Sequence, residues 1–476
     1  MPALIGYSPD LDPDAAGGIP ECLNIIPSDR GMKPRPAAVS VGIDPLASAC
    51  RGIVSAKRVD GGITTLAGTA TNLYRLSGTS WTSIDTATLG AEERWSFAQW
   101  GNFTFAATPF QTLVYDDGTT LTAISETIKA NHVTNVNGFV MVANYNDGSD
   151  DLGDGWRCSA YQDGTSWALS PATQAANGRL LDSPGDVTAL LRLGSSAVAY
   201  QEYAIYVGVY VGSPAVWGFQ KIAGDIGVLS RGLIVVNEQF HLFFGPDDVY
   251  RFDGTNLTPL QAACSRRVID TLNRDAAYAC QSSWDNERGL AWWFYPTGTS
   301  TVADSYVCFH PETGKWGYGL IDVEAAVQFI AGGFTYATIP TEWTYETMPT
   351  YSYDSTFWTG DGKPILSIVG TDHAINTVNG GGVSASMTLS EMGSDQEYSN
   401  VSRFFPRFFD QPDTATMTIY ARYEADDAFV LVTTSDIYKG KFDFLTSAMW
   451  HKFKIDLTGD WEMASFEIDA KVDGSP

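Results

Sequence analysis

A short phrase returns at near-even spacing through the first two thirds of the chain, and it limits the possible folds more than any other feature. It reads Leu73-Tyr74-Arg75-Leu76-Ser77-Gly78-Thr79-Ser80-Trp81, then Val114-Tyr115-Asp116-Asp117-Gly118-Thr119-Thr120-Leu121. It comes back as Tyr161-Gln162-Asp163-Gly164-Thr165-Ser166-Trp167 and as Val249-Tyr250-Arg251-Phe252-Asp253-Gly254-Thr255-Asn256-Leu257. The glycines at 78, 118, 164 and 254 are separated by 40, 46 and 90 residues. The last interval holds two periods, with a degenerate copy where Tyr210-Val211-Gly212-Ser213 precedes Val216-Trp217. A period of roughly 40–45 residues with one hairpin turn per copy is the mark of a β-propeller blade. Asp-Gly and Ser-Gly supply the positive φ that such a hairpin demands. The phrase therefore predicts an all-β ring of sheets around a central channel.

The flanking sequence divides the chain. Residues 1–50 hold eight of the 22 prolines and no copy of the phrase. Proline fixes φ and removes a ladder donor, so this part reads as an extended Pro-rich arm that lies along a neighbour or closes the ring. About six blades follow from 51 to 325, and residues 51–380 form the propeller. Near-continuous apolar runs such as Phe139-Val140-Met141-Val142-Ala143 and Leu290-Ala291-Trp292-Trp293-Phe294-Tyr295 suit buried blade strands. The Tyr and Trp of the phrase read as blade packing. Residues 330–360 turn to Thr, Tyr and Trp, and read as a crossover link or a seventh, irregular blade. The best helical pattern is Arg266 to Ala277. Beyond Gly380-Gly381-Gly382, residues 381–476 carry period-2 strands such as Met417-Thr418-Ile419-Tyr420-Ala421 and Phe453-Lys454-Ile455-Asp456-Leu457. They predict a C-terminal β-sandwich.

The net charge is −26, from 55 acidic and 29 basic residues. That balance argues against tight nucleic-acid binding, which depends on Lys and Arg neutralising phosphates. It leaves room for DNA that passes without sticking. Six cysteines at 22, 50, 158, 264, 280 and 308 include no C-x-x-C pair, so free buried thiols are expected. No apolar run approaches the roughly 20 residues of a membrane span. The N-terminus lacks a charged and then apolar leader, so synthesis and assembly in the cytoplasm are expected.

Catalytic signatures are not found, and the reading is of a protein that is not an enzyme, with no catalytic, cofactor or metal residues assigned. The histidines at 132, 241, 310, 373 and 451 show no metal-ligand spacing, and neither a G-x-S-x-G elbow nor a phosphate-binding loop appears. Asp147, Asp151 and Asp154 in the acidic loop 147–155 are the one set worth weighing as calcium ligands, but their order misses an EF-hand, and an acidic loop tip is the expectation. Sialidase-type propellers carry longer hairpin boxes than Gln162-Asp163-Gly164-Thr165-Ser166-Trp167. A carbohydrate-binding or carbohydrate-cleaving propeller is the alternative reading.

Four stretches carry a family resemblance. They are Tyr7-Ser8-Pro9-Asp10-Leu11 with Cys22-Leu23-Asn24-Ile25-Ile26-Pro27-Ser28; Val249 through Asp270; Trp284 to Trp316; and Pro340-Thr341-Glu342-Trp343-Thr344-Tyr345-Glu346-Thr347-Met348-Pro349. Together they resemble the tail nozzle, or tail tube and packaged-DNA stabilisation, proteins of short-tailed phages (podoviruses). The resemblance spans most of the first 380 residues and implies a virion structural protein of a bacteriophage tail. It implies a homohexamer below a head-to-tail adaptor ring, with a needle, fibre or tailspike assembly beyond, through which double-stranded DNA leaves at ejection. It brings no catalytic residues. Six copies at −26 carry about −156, and an acidic lumen would repel DNA and let it slide. Which acidic residues line such a channel stays unassigned.

Overall fold

The computed structural model describes residues 2–330, 362–424 and 426–474. Among them, seven four-stranded antiparallel sheets stand around one axis, so the fold is an all-β propeller with seven blades, one more than the repeat predicts. The innermost strands, in ring order, are Ile53–Lys57, Ser96–Trp100, Lys129–Val136, Val187–Leu193, Ile234–Val236, Gln281–Asp285 and Ala325–Ile330. Each lies beside the next, and the seventh returns to the first, where Ile330 N–H donates to Ser55 Oγ at 3.1 Å.

Burial follows from position within a blade. The second strand from the axis has a sheet neighbour on both edges and a blade on both faces. Ser196–Gln201, His241–Phe244 and Leu290–Tyr295 are accordingly apolar and buried almost throughout. Apolar cores fill the gaps between consecutive blades. Phe105, Val133, Val140 and Trp167 pack between blades 2 and 3, while Leu46, Cys50, Val327, Phe329 and Ile375 pack where blade 7 meets blade 1.

The recurring phrase marks one place in blades 1 to 5, the connection from third to fourth strand. Gly78, Gly118 and Gly254 take φ of 63°, 92° and 96° there, and the degenerate Gly212 takes 79°. Gly164 differs. Its copy lies in the long connection between Asp151–Cys158 and Asn177–Arg179, and its φ is not positive. There the copy builds core: Trp167 is fully buried and its Nε1–H donates to Gly164 O at 2.9 Å.

Blade 7 departs from the other six. Its first three strands are Ala325–Ile330, Pro364–Val369 and Ile375–Gly382, and its fourth is Pro36–Ser40 from the N-terminal segment, paired Val39 to Thr377 and Ala38 to Val378. The N-terminal segment therefore closes the ring. The link at 330–360 falls almost wholly outside the described residues.

The same segment completes the C-terminal β-sandwich. One sheet orders Glu21–Leu23, Ala385–Thr388, Trp450–Thr458, Thr414–Arg422 and Val430–Asp436; the other orders Phe442–Ala448, Tyr398–Asp410, Glu462–Gly474, Met32–Pro34 and Ile25–Pro27. Strict alternation turns Met417 and Ile419, and Phe453 and Ile455, inward. The sandwich expected over 381–476 thus borrows three strands from residues 21–34. It docks on the outer strand of blade 6, Lys315–Val323, and one continuous apolar core runs from Phe243 and Trp293 of the propeller to Phe404 and Phe453 of the sandwich.

Candidate functional site: the channel of the ring

All seven innermost strands, or the residues leading into them, face a central cavity of about 820 Å³. It shares Arg192, Arg231, Val236 and Ser282 with a second cavity of about 610 Å³ toward the other end. The strands expose polar side chains here because, unlike their second-strand neighbours, they have water on one side.

Four arginines line the channel, and each donates to a backbone carbonyl rather than to a carboxylate. Arg51 reaches Gly90 O; Arg94 Nη1 reaches Glu324 O at 2.8 Å; Arg192 Nε reaches Gly194 O at 2.8 Å; Arg231 Nη1 reaches Ile234 O at 2.9 Å. Enclosure by the blades lowers the Arg94 pKa and pushes that of Arg231 down to about 10, because a charge removed from bulk water loses hydration. The acidic residues lining the larger cavity are Glu92, Glu93 and Asp186. This lining is mixed in charge and belongs to the channel within one chain. A channel between copies, where the acidic lumen was expected, is a different surface.

The five histidines are placed apart. His132 stands in the channel wall with Nε2 3.1 Å from Val187 O, and burial pushes its pKa down to about 4. His241 bridges the Tyr200 hydroxyl at 2.9 Å and Arg192 O at 3.0 Å, and burial pushes it to about 4 as well. His310 Nε2 meets Asp29 at 2.9 Å, His373 Nδ1 meets Glu324 at 2.9 Å, and His451 Nε2 lies 2.9 Å from Ser399 Oγ. Glu324 also accepts from Cys50 N–H at 2.7 Å.

In the acidic loop 147–155 the three carboxylates serve separate partners. Asp147 Oδ1 accepts from the N–H groups of Ser149 and Asp150, Asp151 accepts from Asn146 Nδ2, and Asp154 forms a two-point pair with Arg179 at 2.7 and 2.9 Å. The first of these is a side-chain turn that recurs. Asp117 accepts from Thr119 and Thr120, Asp163 from Thr165, and Asp253 from Thr255 and Asn256. So Asp-Gly-Thr is a self-capping turn, which explains its repetition without any ligand. These backbone N–H groups hold the Asp117 carboxyl down at about 2. All six cysteines are buried and unpaired, and burial pushes the Cys158 thiol up to about 11 and those of Cys50 and Cys280 up to about 12.

The channel arginines escaped the sequence reading, although a signal was present. Arg51, Arg94 and Arg231 each stand two or three residues before an innermost strand. A single basic residue ahead of the first apolar run in three copies is a repeat of its own.

No family model and no curated protein matches the chain. Solved structures to which it is similar include BamB from Moraxella catarrhalis, at 10% identity, covering 75% of this chain and 94% of that one, with a TM-score of 0.39. The Pan2 WD40 domain of Neurospora crassa matches at 7% identity over 74% of this chain and 96% of that one, TM-score 0.39. YCF48 bound to a D1 peptide matches at 10% identity over 74% and 97%, TM-score 0.37. The propeller assignment rests on the seven sheets themselves. Among the described residues no helix is long and apolar enough to cross a membrane.

Proposed function

We propose that the chain is a virion structural protein, the tail nozzle subunit of a short-tailed phage, acting as a homohexameric conduit that retains packaged double-stranded DNA and passes it at infection. The observation that carries this reading is the interlocking of the stretches on which the resemblance rests. The Tyr7 ring stacks on Tyr318, two residues beyond the Trp284–Trp316 stretch on the same strand, with centroids 5.0 Å apart. The Asp10 carboxylate accepts from Arg266 N–H at 2.9 Å and Arg267 N–H at 3.1 Å, at the start of the helix Ser265–Thr271. The Tyr306 hydroxyl donates to Ile25 O at 3.4 Å. Opening segment, blade-and-helix passage and Trp-rich stretch thus build one joint between ring and sandwich. Degenerate motifs that have to fit one another are a stronger warrant than the same motifs apart. The fourth stretch, 340–349, lies outside the described residues.

A conduit for DNA under pressure requires subunits that do not open, and the N-terminal segment is fastened to the strand Glu462–Gly474 of the sandwich, where Ala3 meets Ser465 and Met32 pairs Met463. The net charge of −26 suits a wall past which DNA slides. The hexamer, its place below an adaptor ring and its contact with needle, fibre or tailspike proteins are parts of the proposal. Sedimentation velocity and negative-stain imaging test it. The expected species has six times the 51.6 kDa subunit mass and an axial opening, and the chain is found in tailed particles. A chain that stays monomeric, is absent from such particles and binds or cleaves oligosaccharide would overturn it.

A further inference from the structure

We infer that the part of the intrachain channel lined by Arg231 and Arg192, where its two cavities meet, is a binding site for a small oxyanion of the phosphate class. The inference is independent of the nozzle reading, since it concerns the cavity inside one chain.

The case begins with missing counter-charges. Elsewhere in this acidic chain arginines find carboxylates, as Arg179 finds Asp154 at 2.7 Å and Arg288 finds Asp285 at 2.9 Å. Arg192 and Arg231 each make a single hydrogen bond, to a backbone carbonyl, and that leaves most of each guanidinium fork free. Tyr200, beside Arg231, is fully buried with its ionisation pushed up, so it stays a neutral phenol and supplies no counter-charge. Both arginine side chains are exposed to the cavities, so a ligand entering the channel meets their free N–H groups directly. The field of Arg231 reaches His132 and His241, both of which it pushes further toward the neutral form.

The surroundings leave room for an anion. Both arginines border both cavities, of about 820 and 610 Å³, so a ligand has access from either end. Glu92, Glu93 and Asp186 precede the innermost strands of blades 2 and 4, and Glu238 sits on the hairpin between Ile234–Val236 and His241–Phe244. Asn237 and Asn286 add neutral donors to the smaller cavity. Planar guanidinium forks match tetrahedral oxyanions by paired, charge-assisted hydrogen bonds, which chloride cannot form.

Isothermal titration and thermal shift of the full chain at constant ionic strength test this, with inorganic phosphate and adenosine 5′-monophosphate as separate probes and chloride as reference. Phosphate is expected to bind and to raise Tm beyond chloride. Arg231→Gln is expected to weaken binding about tenfold or more, Arg192→Gln less, and Arg231→Lys to restore part of it. Arg266→Gln, on the outer helix with its side chain 84% exposed, should bind as wild type does. Tighter binding of free phosphate than of the monophosphate assigns the site to the free ion, and the reverse assigns it to a phosphate ester. Equal response to phosphate and chloride, or wild-type affinity in Arg231→Gln, would overturn the inference. Should Arg231→Gln misfold by circular dichroism, Arg192→Gln and Arg231→Lys decide on the same criterion.

Discussion

Blades 1 to 6 and blade 7 obey the same geometry but are built in opposite ways. Each of the first six is one contiguous run of chain folded as a meander, whereas blade 7 takes its outer strand from residues 36–40, 285 or more residues ahead of its other strands. The sandwich shares the second mode, since three of its strands come from residues 21–34 and two pairings, Glu21–Leu23 with Ala385–Thr388 and Met32–Pro34 with Glu462–Gly474, join that segment to residues 385–474. Local blades form from near neighbours at small loop-closure cost, while the closure must wait for both chain ends. The N-terminal segment is therefore the clasp of the whole molecule, and most of what is distinctive about the chain lies where the clasp is made.

The largest expected effect is on the clasp itself. Removal of residues 1–41 strips the outer strand from blade 7 and three strands from the sandwich, and exposes the apolar faces they cover. The truncated chain should fail to accumulate in soluble form. A product that melts cooperatively near the wild-type temperature would break the comparison, because it would make the six local blades self-sufficient.

Next comes the core common to both modes. Trp293 is fully buried, its Nε1–H donates to Leu233 O at 3.0 Å, and its ring meets Phe244 edge-on at 5.2 Å. Trp293→Ala should cost about 3–5 kcal/mol. Because the cluster runs on into the sandwich, calorimetry should show both parts shifting together in one transition. Two separated transitions would mean that ring and sandwich are fastened more loosely than the shared core implies.

Acid should act chiefly on the local blades. His132 and His241 are held neutral, with pKa about 4 against an ordinary 6.5, by burial. Their contribution is complete above pH 6.5 and is lost as pH falls toward about 4, since only the unfolded chain takes up those protons. Replacing both by Asn should flatten the fall of Tm over that window, and an unchanged slope would place the acid sensitivity elsewhere.

The same division explains what was legible in the sequence. The blades announced themselves because a glycine-bearing turn recurs between the third and fourth strands of several blades, self-capped as Asp-Gly-Thr at 117–119, 163–165 and 253–255. The sandwich was legible because one wet and one dry face force alternation on strands such as Thr414–Arg422. The seventh blade was legible only as one of two readings of residues 330–360, because its fourth strand carries no copy of the phrase and lies in the Pro-rich segment, at residues 36–40. The channel arginines were missed because their isolation from carboxylates is a property of the closed ring; each looks ordinary in its own segment. Gly164 shows the converse: a phrase that matches its siblings in letters serves as a core plug, because the connection around it is longer.

Two glycines measure the two modes at single-atom resolution. Gly317 lies on the outer strand of blade 6, and a Cβ there would stand 2.4 Å from Ile25 O in the N-terminal segment. Neither backbone can yield cheaply, so Gly317→Ala should cost about 1–3 kcal/mol as overpacking and loosen the segment from the blade. Gly78 takes φ of 63° in the outer turn of blade 1, and a Cβ there would meet nothing within 4 Å. Gly78→Ala should therefore cost only the left-handed backbone penalty, about 1 kcal/mol. Chemical denaturation gives both numbers, and limited proteolysis of the N-terminal segment separates their origins. Gly317→Ala should speed cleavage within residues 1–35, and Gly78→Ala should leave that rate unchanged. If Gly78→Ala also frees the segment, the local blades and the clasp are coupled more tightly than their construction suggests, and the distinction between them is one of chain order rather than of energy.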